Sequence, residues 1–241
     1  MLGLPQQYAV GKPFEIGTFL TADLTPKEKK RFRDAAAAIV LAYQVAGESV
    51  PSRIDDTYDC QAILAFDVKV TALKEAAFVC GVIQRLVKPL CVVRAAGPNG
   101  ETVYSFAHKR LHQADRTQAV VTDAIVTAVT LPGLRDDTAD LLERYCSFDR
   151  LRNRTNKLGL YAEWMAKAYV VSHATAWSGS RGLLESKAWY NEADAFAILE
   201  LFKRIVQLLK DRRAATGAAG QASINAELKT VYGRLGRYGT D

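Results

Sequence analysis

No apolar run in this 241-residue chain is long enough to cross a membrane. The longest aliphatic stretch, Ala35–Ala42, is less than half of the roughly 20 residues a spanning helix needs. The first twenty residues lack a basic segment leading into an apolar one, so no signal peptide is expected. Cysteine is scarce, four residues without a C-x-x-C pair, and His108, His112 and His173 complete no zinc pattern with them. His108 and His112 would share a helix face, but no Glu follows His108 and Ser105-Phe106-Ala107 reads as a strand ending in a loop. Cys80 and Cys91 stand among apolar neighbours and read as small core residues, which points to a reducing cytoplasm. A nucleophile elbow, a phosphate-cradling G-x-x-x-x-G-K-[ST] loop and an H-E-x-x-H helix are all missing, and Gly179–Gly182 is only a polar loop. No metal or organic cofactor is expected, and no enzyme class is assigned.

What is present is an ordinary folded composition, 49% hydrophobic and 24% charged. Thirty-two Lys and Arg against 26 Asp and Glu leave a net charge of +6, inside the range of about 2 to 8 that solubility alone accounts for. The excess is spread evenly, since residues 1–135 and 136–241 each carry 16 basic and 13 acidic residues. Mild basicity of this kind permits a phosphate-rich partner without demanding one.

Residues 1–24 are punctuated by Pro5, Gly11, Pro13 and Gly17, which argues against any long element there. Thr25-Pro26-Lys27-Glu28 then has the residues of a helix start, a capping Thr, a Pro at the first helical position and a Glu to close the capping box. The apolar series Phe32, Ala36, Ile39, Tyr43 and Ala46 predicts that this helix runs on to Gly47. The basic run Lys29, Lys30, Arg31 and Arg33 in its first two turns reads as a solvated face. Positive charge so near a helix N-terminus nevertheless leaves room for a phosphate-facing role. A strand over Cys60–Val70, a helix with the stripe Ala76, Cys80, Ile83 and Val87, and an Asn99-Gly100 hairpin between Leu90–Ala95 and Thr102–Phe106 follow. Gln118–Leu131 reads as one more strand, with a helix as the alternative. The fold class is therefore an α/β domain over residues 1–131, a mixed sheet with two helices, followed by an all-α region.

Pro132-Gly133 marks the change. Residues 132–190 form a helical middle whose joint, 144–157, sets five basic residues against one acid. Arg150, Arg152, Arg154 and Lys157 are its candidates for phosphate contact. Residues 191–241 form a coiled-coil-like tail. Ile198, Leu201, Ile205 and Leu208 make one row, Leu199, Phe202, Val206 and Leu209 a second, and Ile224, Leu228, Val231 and Leu235 resume after a Gly-Ala turn. An antiparallel hairpin follows most simply. A stripe this broad is either covered by the 158–176 helix or left partly open. In the second case Ile198, Leu201, Phe202, Ile205, Leu208, Leu209, Ile224, Leu228 and Val231 form a docking surface for a partner protein or a second copy. The only catalytic constellation to weigh is Asp67-Val68-Lys69 with Asp55, Asp56 and Asp59 upstream. A divalent-metal nuclease needs carboxylates for the ion and a Lys to orient water. The upstream acids fall in a loop without a strand of their own, so charges at a strand end are the simpler reading.

Four passages together resemble a bacterial domain-of-unknown-function family, number 4391. They are the capped helix from Leu24 to Phe32 with Val40-Leu-Ala-Tyr43, the strand Ile63–Val70, the segment Val87–Val93, and the tail Gln221–Lys229, which is similar to the family's closing Q-x-x-x-N-x-E-L-K run. The resemblance is thinnest between about 132 and 190 and carries no catalytic motif. It implies context: similar proteins are encoded beside helicases and DNA methyltransferases in phage-defence gene clusters. The expected function is thus a non-enzymatic accessory or adaptor subunit of such a DNA-processing complex. Its tail binds the helicase or methyltransferase and residues 144–157 touch the DNA backbone. A nuclease using Asp67 and Lys69, or a stand-alone nucleic-acid-binding protein, are the alternatives.

Overall fold

The chain enters its first helix as Leu24-Thr25-Pro26 dictates. In the computed structural model, which describes residues 1–132 and 137–239, helix α1 spans Pro26–Ala35. The Glu28 backbone N–H donates to the Thr25 hydroxyl oxygen, and the Thr25 N–H donates to the Glu28 carboxylate at 2.8 Å, a complete capping box. The helix does not run on to Gly47. Ala36–Val45 is strand β2, so the single helical stripe expected through Ile39, Tyr43 and Ala46 is corrected beyond Ala35. Thr71 stops the helix, its N–H donating to the Ala35 carbonyl and its hydroxyl to that of Asp34. Ile39, Val40, Leu41 and Tyr43 then sit between two partner strands. Ala36–Val45 is apolar at every position but Gln44 and so does not alternate, which is why its sequence mimics a helix.

The other strands are β1 (Ala9–Phe14), a two-rung hairpin of β3 (Arg53–Ile54) and β4 (Asp59–Cys60), β5 (Ile63–Val70), β6 (Leu90–Ala96), β7 (Thr102–Leu111) and β8 (Ala119–Val126). A six-stranded sheet runs in the order β1-β2-β5-β6-β7-β8. Only β5 and β6 are parallel, and helix α2 (Ala76–Leu86) makes their crossover. Strand β1 lies in the stretch expected to hold no long element, and it is an edge strand, where the missing N–H of Pro13 is tolerated. Gly100 takes the positive φ, 85°, that the hairpin turn requires. β7 continues past Phe106, so His108 stands within a strand and not in a loop.

The helical region comprises α3 (Asp137–Cys146), α4 (Lys157–Ser172), α5 (Ser180–Glu185), α6 (Glu192–Ala214) and α7 (Ala218–Gly236). Of the boundary expected at Pro132-Gly133, Gly133 and the three residues after it lie outside the described residues. One sheet face packs on α1 and α2, with Phe32, Val79, Cys80 and Ile83 against Phe66, Val68 and Val93. The other packs on α4, whose residues from Lys157 to Ala168 are all buried. Phe106 of the sheet meets the rings of Tyr161 and Trp164 at 5.8 and 5.9 Å.

Because α4 is mostly apolar and buried almost all round, it packs one side on the sheet and the other on α6. Tyr169 of α4 meets Phe202 of α6 edge-on at 6.5 Å. Ile198, Phe202 and Ile205 are 0% exposed, Leu208 2%, Leu228 3%, Val231 5% and Leu201 8%. Leu209 and Ile224 pack on the same core from its rim. The expectation that these rows form a docking surface is corrected: the chain's own helices enclose them.

Candidate functional site

The densest basic segment of the sequence turns part of its charge inward. Lys157 is 0% exposed, and its ammonium donates to the carbonyls of Gly47 (3.0 Å) and Val50 (2.5 Å) and to the Ser52 hydroxyl (3.3 Å). Arg154 donates to the Phe148 carbonyl and lies 4.3 Å from the centre of the Phe148 ring. Arg152 donates to the carbonyls of Glu185 (2.9 Å) and Ser186 (2.5 Å). Burial holds the pKa of both Arg154 and Lys157 down. Arg150 is exposed and pairs with Asp149 at 3.5 Å. Below the segment, the buried Glu163 carboxylate accepts the N–H groups of Arg152 and Asn153 at 2.7 Å each and pairs with Lys167 at 2.5 Å. These contacts tie the 47–52 loop to α4. The expected phosphate contact is corrected at Lys157, whose buried ammonium is engaged by the protein's own oxygens, while Arg152 and Arg154 each give donors to backbone carbonyls that cannot be left unpaired without cost.

The acids of the nuclease reading do not converge. Asp67 stands between Val40 on β2 and Arg94 on β6, and Arg94 holds its carboxylate at 3.1 Å. Asp55 accepts from Arg53 and from the N–H groups of Thr57 and Tyr58 in its own turn. Asp56 pairs with Arg116 at 3.0 Å and Asp59 with Lys88 at 3.1 Å. Lys69 is exposed near the end of β5. Among the described residues no group of three or more His, Cys, Asp and Glu is placed to hold a metal ion.

A different part of the surface gathers unpaired positive charge. Helix α1 buries Phe32 and Ala35, and Glu28 on that side reaches Arg85 of α2. The helical period puts Lys27, Lys30, Arg31 and Asp34 together on a neighbouring face. That face forms one wall of an open groove of about 410 Å³. Thr71, Ala72, Lys74 and Glu75, between β5 and α2, form the other, and Ala35 helps line it. The groove lies at the carboxyl end of β5, the strand that begins the parallel crossover. Among the described residues, Lys27, Lys29, Lys30, Arg33, Lys69 and Lys74 have no carboxylate within ion-pair distance. Arg31 is different: its Nε donates to Glu75 at 2.8 Å and its guanidinium lies 4.1 Å from the centre of the Phe78 ring. Unpaired ammonium groups around a concavity attract an anion by Coulomb forces and can rotate to meet its oxygens. The run Lys29 to Arg33 was visible in the sequence. Lys27 and Lys74 carried no separate signal, because only the packing of α1 beside the β5–α2 turn brings them together.

No curated protein and no solved structure is detectably similar to the chain. A family model does match, and it covers residues 2–235, from the strand-edge segment through the groove to the end of α7. On that match the chain belongs to the family described as Domain of unknown function (DUF4391).

Proposed function

We propose that this protein is a non-enzymatic accessory factor that holds the phosphate backbone of nucleic acid, without sequence preference, in the groove between α1 and the β5–α2 turn. The observation that carries the reading is the set Lys27, Lys30 and Lys74, which line the groove and, among the described residues, have no carboxylate within ion-pair distance. Phosphodiester oxygens accept from such ammonium groups as from point charges, and this positions a strand without reading its bases. The accessory role beside a helicase or DNA methyltransferase stays part of the proposal, but the tail is no longer its docking surface. We read α6 and α7 as a hairpin that buttresses α4, and Arg204 on one paired with Glu227 on the other at 2.7 Å supports this. A reducing cytoplasm is the proposed location, supported by Cys60, Cys80, Cys91 and Cys146 all being buried free thiols.

The test is binding of labelled duplex and single-stranded oligonucleotides between about 50 and 200 mM salt. Reversing Lys27, Lys30 and Lys74 together to Glu is expected to weaken binding at least about tenfold. Losing three phosphate contacts flattens the duplex salt slope by about 2.7. Arg150→Glu serves as the comparison and is expected to change binding far less. Equal affinity of the wild type and the triple variant, or no salt dependence in either, overturns the proposal.

A further inference from the structure

Glu75 lies in the same groove as the unpaired lysines and holds the one arginine there. Arg31 has a second anchor besides Glu75, the face of Phe78, which favours the same guanidinium position when the carboxylate lets go. Only the Arg31 Nε is engaged by the carboxylate. Its remaining N–H groups have no protein acceptor among the described residues. A guanidinium held flat in a groove of lysines is suited to a bidentate grip on phosphate, and a carboxylate offers it two oxygens of similar spacing. An incoming phosphodiester must either displace Glu75 or lie against its negative charge. Asp34, the second acid of the groove, has no ion-pair partner among the described residues and so competes for no arginine.

Resting on the backbone-binding reading, we infer that Glu75 is an internal stand-in for phosphate on Arg31, and that breaking this contact adds Arg31 to the groove's phosphate contacts. Glu75 thereby limits the affinity of the site, and any event that neutralises it opens a tighter state.

The experiment measures duplex oligonucleotide binding across the same salt series for the wild type, Glu75→Gln, Asp34→Asn, Arg31→Gln and the Arg31→Gln/Glu75→Gln pair, with thermal melts to confirm that each folds. Glu75→Gln is expected to tighten binding about fivefold and to steepen the salt slope by about 0.9, one extra phosphate contact. Arg31→Gln alone leaves the Glu75 carboxylate uncompensated and is expected to weaken binding, and it is expected to cancel the gain when added to Glu75→Gln. If Asp34→Asn tightens binding as much as Glu75→Gln, or the gain survives without Arg31, the effect is general charge removal and the inference is overturned. A lysine effect without any Glu75 effect overturns this inference alone. Wild type and triple lysine variant binding alike overturns the backbone-binding reading and this inference with it.

Discussion

The hydroxyl of Tyr161 closes a gap where two strands part. The last rung between β6 and β7 pairs Val92 with Phe106. One step further the Tyr161 hydroxyl donates to the Cys91 carbonyl at 2.7 Å and accepts the Ala107 N–H at 2.8 Å. Gln84 donates to the carbonyls of Cys91 and Ser105, and Lys109 to those of Val87 and Pro89 between α2 and β6, so these carbonyls are met as well. Burial pushes the Tyr161 hydroxyl pKa well above its ordinary value, which keeps it a neutral donor and acceptor. Tyr161→Phe removes both bonds and leaves the buried Ala107 N–H unpaired. The expected loss is about 1–3 kcal/mol of unfolding free energy, measured by urea titration. The sequence marks Tyr161 as apolar-stripe material on its helix. Its polar task depends on a strand more than fifty residues earlier and was not legible.

At the scale of elements, α1 shows how a start can be plain while an end is not. The Thr25–Glu28 box is local chemistry within four residues, and it forms as read. Glu28 also receives the Arg85 guanidinium at 2.8 Å, which, with the Thr25 backbone N–H and hydroxyl, holds its carboxyl pKa down to about 2 from an ordinary 4.5. A carboxylate lowered on folding stabilises the fold only while it is charged. Its contribution is complete above about pH 4.5 and is lost as pH falls through about 2. Glu28→Gln is therefore expected to lower the melting temperature at pH 6 and to match the wild type near pH 2, a closing gap that melts along a pH series can follow. The end of α1 depends on β1 and β5 pairing with Ala36–Val45 from either side, and no window of local sequence contains those partners.

For the whole molecule, the decisive arrangement is α4 between the sheet and α6. It turns the tail from an expected docking surface into more than a quarter of the main core, which runs from Leu4 through Trp164 to Leu235. Phe202→Ala is expected to destabilise the entire protein by about 3–5 kcal/mol. Urea unfolding should show one transition at the same midpoint by far-UV circular dichroism and by tryptophan fluorescence. A tail that melts by itself at lower urea would show that α6 is not part of that core. The same arrangement draws Lys157 inward and ties Arg152 and Arg154 to backbone carbonyls, while Arg150 stays exposed.

The amino-acid sequence alone determined the capping of α1, the existence of α2 and the hairpin after it, the helical character after residue 137, and, through its quoted passages, the family. Those features depend on neighbours within a few residues or on apolar spacing along one element, which any reader of the chain can see. Only the tertiary structure decided that Ala36–Val45 is a strand, that Lys157 is buried, that the tail rows are enclosed and that Lys27, Lys30 and Lys74 share one groove. Each of these turns on segments far apart in the chain meeting across a sheet or between helix layers. There, burial and the need to pair every polar group override what the local pattern favours.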